Sequence, residues 1–128
     1  LDAPCSATGT FRRHPEVLYI KTQDDVAQQA ALQKQLLCSC KSALKVGGTL
    51  VYSTCSIAKA EGEKQILGFL QEHKEFEIYQ IEKQCISAYG EWQNKLITSE
   101  GFIRTLPFYE SGKNGIDSFF ISKLKRII

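Results

Sequence analysis

Blocks of apolar residues with different periods follow one another along the chain, and they predict alternating strands and helices. Thr49-Leu50-Val51-Tyr52 is a β-branched and aromatic run behind Gly47-Gly48, and it leads into Ser53-Thr54-Cys55-Ser56. This is the pattern of a buried strand that ends in a polar turn displaying a thiol. Leu1-Asp2-Ala3-Pro4-Cys5-Ser6-Ala7-Thr8-Gly9 reads the same way, as the last residues of a strand followed by a loop marked by Pro and Gly. Between them, from about Thr22, a helix is predicted, with Thr22 or Asp24 as cap and Asp24 and Asp25 in the first turn, where the helix dipole favours acids. Val26, Ala30, Leu37, Cys40 and Leu44 fall on one face, Gln28, Gln35 and Ser42 on the other, and Gly47-Gly48 stops the helix.

Beyond Cys55 a second helix is predicted with Ile66, Leu67, Phe69 and Leu70 as a broad apolar face, ending near His73-Lys74, where His73 suits a cap. Phe76 to Ile81 reads as a strand. The stretch from Glu82 to Glu100, with Cys85 and Trp92, reads as irregular or partly helical. Gly101 to Leu106 predicts a short strand stopped by Pro107. Glu110 to Gly115 is a turn cluster, and Asp117 to Leu124 is a closing strand followed by a solvated basic end, Lys123 to Arg126. The order is strand, helix, strand, helix, strand, then a strand pair. It predicts an α/β sheet, parallel where helices intervene and antiparallel at its final pair.

Composition changes this picture little. The 128 residues predict one domain, and 43% hydrophobic content is enough for a core. Sixteen Lys and Arg against fourteen Asp and Glu leave a formal charge of +2, so an RNA argument must rest on local clusters such as Arg12-Arg13-His14. No apolar run has membrane-span length and no signal-peptide pattern is present, which predicts a cytoplasmic chain. Five cysteines without framework spacing read as reduced thiols, and Cys38 and Cys40, two apart on a helix, point away from each other and are not expected to bind metal. The chain opens without Met inside a strand pattern, as a piece of a longer protein would.

The chemistry expected is that of two thiols at strand ends. In open α/β sheets ligands bind at the carboxyl ends of the strands. A thiolate there is a strong nucleophile for transient covalent catalysis, and Asp2 is the nearest carboxylate by predicted location. From residue types alone several functions stay open: a nucleophilic enzyme, a Cys-His hydrolase with His14 as base, a redox pair, or a binding domain with buried thiols.

Asp2-Ala-Pro-Cys5-Ser-Ala-Thr-Gly9 with Arg12-Arg13-His14-Pro15, and Val51-Tyr-Ser-Thr-Cys55-Ser56, resemble the two signature segments of the Nol/Nop/Sun family of RNA cytosine-C5 methyltransferases, most closely its bacterial Sun-type branch acting on small-subunit ribosomal RNA. Asp117 to Leu124 resembles that family's last strand. The resemblance implies the C-terminal half of a Rossmann-like class I methyltransferase fold, residues 1–128, with the N-terminal cofactor-binding portion absent. It implies Cys55 as the nucleophile toward cytosine C6, Cys5 as the residue assisting release, and Asp2 beside cofactor and base. It further implies S-adenosylmethionine as methyl donor, held in part by Asp2 and Pro4, ribosomal RNA as partner, and Arg12, Arg13 and His14 facing the RNA backbone. No G-x-G enters a helix, so the chain by itself is expected to bind the donor weakly or not at all and to be inactive. An uncovered sheet edge would favour self-association. The alternative is a non-catalytic RNA-binding or interaction module derived from such an enzyme.

Overall fold

The helix predicted from Thr22 forms as α2 (Gln23–Ala43), which follows a short turn of helix, α1 (Val17–Ile20). Thr22 caps α2: its hydroxyl accepts from the Asp25 N–H at 3.2 Å while the Asp25 carboxylate accepts from the Thr22 N–H at 2.7 Å. Two otherwise orphaned donors are satisfied reciprocally. Thr22→Ala is therefore expected to cost about 1 kcal/mol, read as a lower midpoint in urea unfolding with an unchanged slope.

The computed structural model describes residues 1–109 and 114–128, so of the turn cluster predicted at Glu110 to Gly115 the part at 110–113 lies outside the described residues. After α2 come β1 (Thr49–Thr54), α3 (Glu63–Glu72), β2 (Phe76–Ile78), α4 (Gln93–Leu96), β3 (Ile103–Arg104) and β4 (Phe120–Arg126). Tight 3₁₀ turns occupy Thr8–Thr10, Lys59–Glu61 and Lys83–Trp92, the last broken at Gly90. Irregular or partly helical structure is the expectation for 82–100, and the Lys83–Trp92 turns together with α4 make it partly helical.

β4 lies at the centre of the sheet. β1 runs antiparallel along one edge of it, from Thr49 opposite Lys125 to Thr54 opposite Phe120. β2 takes the carboxyl half of the other edge and β3 the amino half, both antiparallel. β1 and β2, joined through α3, thus run in the same direction with β4 inserted between them, and the predicted antiparallel closing pair is β3 with β4. The strand end predicted at the chain start pairs parallel with β1, through Ala3 N–H to Ser53 O and Ser53 N–H to Leu1 O, both at 2.9 Å.

α2 and α3 pack on one face of the sheet, where Leu37, Tyr52, Ile66, Phe102, Phe120 and Leu124 form the core. Phe120 is its hinge point, with Tyr52 and Phe102 rings edge-on at 6.2 and 5.1 Å. The buried Tyr52 hydroxyl donates to Glu61 O at 2.8 Å, which satisfies this polar group inside the core. A smaller cluster of Ile86, Leu96 and Ile103 packs with Trp92, which stacks on Tyr109.

Three local expectations are corrected. The closing strand starts at Phe120 and not at Asp117, because the Thr105 hydroxyl donates to Asp117 O and accepts from Phe119 N–H, holding residues 117–119 against 105. The basic end is no solvated tail: Arg126 donates to Leu44 O at 2.6 Å and ties β4 to the carboxyl end of α2, whose last carbonyls have no helical partner. Leu67 faces solvent, while Ile66 and Phe69 of α3 are buried in the core and Leu70 packs against it. His73 is the C-cap of α3, as predicted, through its N–H to Phe69 O. Among the described residues no helix is long and apolar enough to cross a membrane.

Candidate active site

The parallel pairing of Asp2 with Ser53 brings two strands to the same edge, so the residues just past their ends emerge side by side. Those residues are Cys5 and Cys55, with Sγ atoms 3.4 Å apart and both thiols free. Gly9 locks the two loops together: its N–H donates to Cys55 O and its carbonyl accepts from Ser118 N–H, each at 2.9 Å. Within the first loop Ala7 adopts a left-handed conformation (φ 58°), uncommon for a residue with a side chain. Its carbonyl accepts from both the N–H and the hydroxyl of Thr10, which hold it there.

The environment separates the thiols chemically. Burial pushes the Cys5 thiol up to about 12, the adjacent Cys55 adds to the effect, and the Ala7 backbone hydrogen bond opposes it. Cys5 is therefore a neutral S–H at physiological pH, able to donate toward the neighbouring sulfur. A folded-state value above the unfolded one favours folding while the thiol stays protonated, and that contribution is lost as pH rises from the ordinary thiol range through about 12. The difference in stability between the parent and Cys5→Ala is thus expected to shrink from pH 9 upward, measured by urea unfolding at several alkaline pH values. The comparison with Cys5→Ala is needed because burial raises the Tyr52 hydroxyl as well.

Asp2 is exposed, and one of its carboxylate oxygens accepts from the Ser53 hydroxyl at 3.2 Å; Pro4 is exposed beside it. A carboxylate with lone pairs to spare and an open proline ring, one to three residues from Cys5, fit one wall of a site for a polar ligand. Arg12 and Arg13 both turn to Asp117: Arg13 donates through Nε at 2.7 Å and Nη2 at 2.5 Å, while Arg12 Nη2 lies 3.3 Å from the other oxygen. The carboxylate raises the Arg13 pKa further, and both guanidinium groups keep an exposed face, with side chains 36% and 56% accessible. His14 is exposed, with its Nδ1 3.2 Å from a Glu16 carboxylate oxygen.

Residues that the hydrophobic pattern does not single out complete the site. Glu61 is fully buried, and its carboxylate accepts four hydrogen bonds. Ser6 N–H and the Gln33 amide reach Oε1 at 2.8 and 3.1 Å, and the Ser6 and Ser56 hydroxyls each reach Oε2 at 2.5 Å. The Gln33 amide also donates to Pro4 O at 2.8 Å. Arg104 grips the other side of the second loop, with Nη1 on Ser56 O at 2.6 Å and a bidentate pair to Glu63 at 2.7 and 3.1 Å. Its guanidinium lies over the Phe120 ring, and Gly62 leaves it room: a Cβ there would stand 2.7 Å from Nη2. Two of these had a signal in the sequence. Gln33 sits in the apolar stripe of α2 at three and four residues from Ala30 and Leu37, and Arg104 interrupts an apolar strand. Glu61, in a short polar stretch, had none. Among the described residues no cluster of His, Cys, Asp and Glu could hold a metal ion.

Comparison with known proteins shows the family and the fold. The family model described as 16S rRNA methyltransferase RsmB/F matches residues 1–125. Ribosomal RNA small subunit methyltransferase B of Thermus thermophilus is 38% identical over 127 residues, 99% of this chain and 28% of that protein. A crystal structure of the protein PH0851 superposes with a TM-score of 0.81 at 35% identity, covering 98% of this chain and 25% of the other. NSun6 from Pyrococcus horikoshii, solved with SFG, gives a TM-score of 0.73 at 26% identity over 100% of this chain and 29% of its own. The chain spans about a quarter of the length of these relatives, and its fold is that of the matching part of a Rossmann-like methyltransferase domain.

Proposed function

Because the chain belongs to the 16S rRNA methyltransferase RsmB/F family, we propose that it carries the reacting thiols of an enzyme that methylates C5 of cytosine in small-subunit ribosomal RNA through a covalent intermediate. The observation that carries this reading is the pair of free thiols 3.4 Å apart at the ends of two adjacent strands, one of them held neutral.

C5 of cytosine is a poor nucleophile. Addition of the Cys55 thiolate to C6 forms an S–C6 bond and moves the C5=C6 electron pair toward C5, which can then accept a methyl cation. S-adenosylmethionine, when bound, supplies that methyl group; the family relative NSun6 was solved with its analogue SFG. Asp2 and Pro4 would hold the donor from this chain's side, and Asp2 would also accept a hydrogen bond from the amino group or protonated N3 of the cytosine. For release, the C5 proton passes to solvent, the C5=C6 bond re-forms and the S–C6 bond breaks. Cys5, a neutral thiol in contact with the Cys55 sulfur, stabilises the departing thiolate by donating its S–H.

The base must leave its stack to reach both thiols. Arg12, Arg13 and His14 lie on the loop that follows Cys5, where exposed cationic faces suit phosphate contacts. The donor site is shared with residues outside this chain, so the 128-residue chain alone is expected to be inactive.

The test is transfer of labelled methyl groups to small-subunit ribosomal RNA by the longest natural chain that carries these residues, followed by digestion to nucleosides. Label in 5-methylcytidine supports the proposal. Label in another nucleoside, or none with RNA and donor both bound, refutes it.

A further inference from the structure

We propose that Glu61 is the positioning residue of the two-thiol site. Its role rests on the reading of Cys5 and Cys55 as the reacting pair, although the geometry that assigns it does not. Each cysteine is followed by a serine, and both serine hydroxyls end on the same buried carboxylate oxygen, Glu61 Oε2. The other oxygen takes the Ser6 N–H and the Gln33 amide, and that same amide holds Pro4 O, so Cys5 is fastened on both sides. Cys55 is fastened likewise: Ser56 by Glu61 and Arg104, and its own carbonyl by Gly9 N–H. Glu61 joins both loops through side-chain hydrogen bonds to the residue after each thiol, and the Thr8 hydroxyl, 3.2 Å from Ser6 Oγ and 3.1 Å from Ser56 Oγ, lies beside the same junction.

Placing a carboxylate out of water is costly unless its lone pairs are filled. Here four donors fill them, and three of the four come from residues that flank the cysteines. The core does not require the charge, since the Tyr52 hydroxyl uses the Glu61 backbone carbonyl and not its side chain. What the carboxylate fixes is the separation and orientation of two loops that are otherwise joined near the thiols by the Gly9 N–H on Cys55 O and by the Thr8 hydroxyl, which accepts from Ile57 N–H and lies 3.1 Å from Ser56 Oγ. Reacting groups held at contact distance gain a large effective concentration, which small displacements remove.

The serine hydroxyls can reverse direction. A glutamine at 61 keeps the network, its oxygen accepting from Ser6 N–H and Gln33 while its amide donates to both hydroxyls. An alanine at 61 removes all four carboxylate hydrogen bonds and leaves the Thr8 contacts, whereas Ser56→Ala removes the Glu61 and Thr8 links to Ser56 and keeps the Glu61 bonds to Ser6 and Gln33. Glu61→Gln therefore separates a geometric role from a role for the charge.

The readout is proximity of the thiols, independent of methyl transfer. Diamide takes two electrons and two protons from Cys5 and Cys55, becoming the hydrazine as the disulfide forms, and peptide mass spectrometry follows the bridge. With each variant's fold verified by near-ultraviolet circular dichroism, Glu61→Gln is expected to bridge within about threefold of the parent rate, and Glu61→Ala and Ser56→Ala at least about tenfold more slowly. Turnover in the longest natural chain should fall in the same order. Bridging at the parent rate in folded Glu61→Ala would overturn the proposal; should that variant not fold, parent-rate bridging in Ser56→Ala does so. Glu61→Gln as slow as Glu61→Ala also overturns it, in favour of a role for the charge. If the parent shows no methyl transfer, the methyltransferase reading fails while the bridging rates still decide the role of Glu61.

Discussion

Cys55→Ala is expected to lower methyl transfer by at least about a thousandfold, roughly 4 kcal/mol of lost transition-state stabilisation. The loss is large because the variant removes the bond that makes C5 nucleophilic, and Cys5, only 3.4 Å away, cannot substitute for it. Cys5 is held protonated by burial, so its thiolate is scarce at neutral pH. Cys5→Ala should behave differently, with the first turnover preserved and later ones slowed. Single-turnover and steady-state rates, measured on the same preparation, check this. Cys55→Ala should lose both and Cys5→Ala mainly the second. Equal loss of both rates in the two variants would contradict the assignment of distinct roles.

The largest effect on stability is expected at Gly9. A Cβ there would stand 2.5 Å from Ser118 O and 2.6 Å from Cys55 O, and both are backbone atoms that cannot rotate aside. Gly9→Ala must separate the loop after Cys5 from the loop after Cys55 and from residue 118, breaking two backbone hydrogen bonds as it does so. About 3 kcal/mol is the expected cost, read as a fall in the urea midpoint. Gly68, inside α3 with no atom within 4 Å of an added Cβ, is the contrasting site. Gly68→Ala should raise stability by up to about 1 kcal/mol, because alanine suits a helix interior better than glycine. If Gly9→Ala were as benign as Gly68→Ala, the two loops would not be as tightly apposed as described.

These expectations show which parts of the molecule its sequence makes legible. The Thr22 cap, the period of α2 and the β-branched run of β1 are local signals, and each forms where its residues predict. The meeting of Cys5 and Cys55 was also legible, because two strands that end in thiol-bearing turns, joined through a helix, bring those turns to one sheet edge. The place of β4 was not, since the residues of a last strand show its burial without showing which neighbours it separates. Arg126 illustrates the same limit: a terminal cation reads as solvated until the end of α2 is known to lie beside it.

The polar supports of the site were harder still to see. Gln33 is part of an otherwise apolar stripe, and that mismatch marks a buried polar group without naming its partner. Glu61 carries no such mark, because a carboxylate in a short polar segment has the pattern of a solvated turn. Its partners, Ser6 and Gln33, lie 55 and 28 residues away in sequence. Arg12 and Arg13 were legible as a basic pair, but their shared partner Asp117 belongs to the last segment of the chain. Long-range polar networks of this kind are fixed by the fold and not by any local period.

The central claim is that the Cys55 sulfur bonds the target cytosine. The most direct measurement incubates the longest natural chain carrying these residues with S-adenosylmethionine and ribosomal RNA containing 5-fluorocytosine, whose C5 fluorine cannot leave as a proton does. Denaturing electrophoresis and peptide mass spectrometry then locate the adduct. The account predicts a stable protein–RNA adduct on the peptide containing Cys55, present in Cys5→Ala and absent in Cys55→Ala. An adduct mapped to Cys5, or none from a chain that binds both RNA and donor, would contradict it.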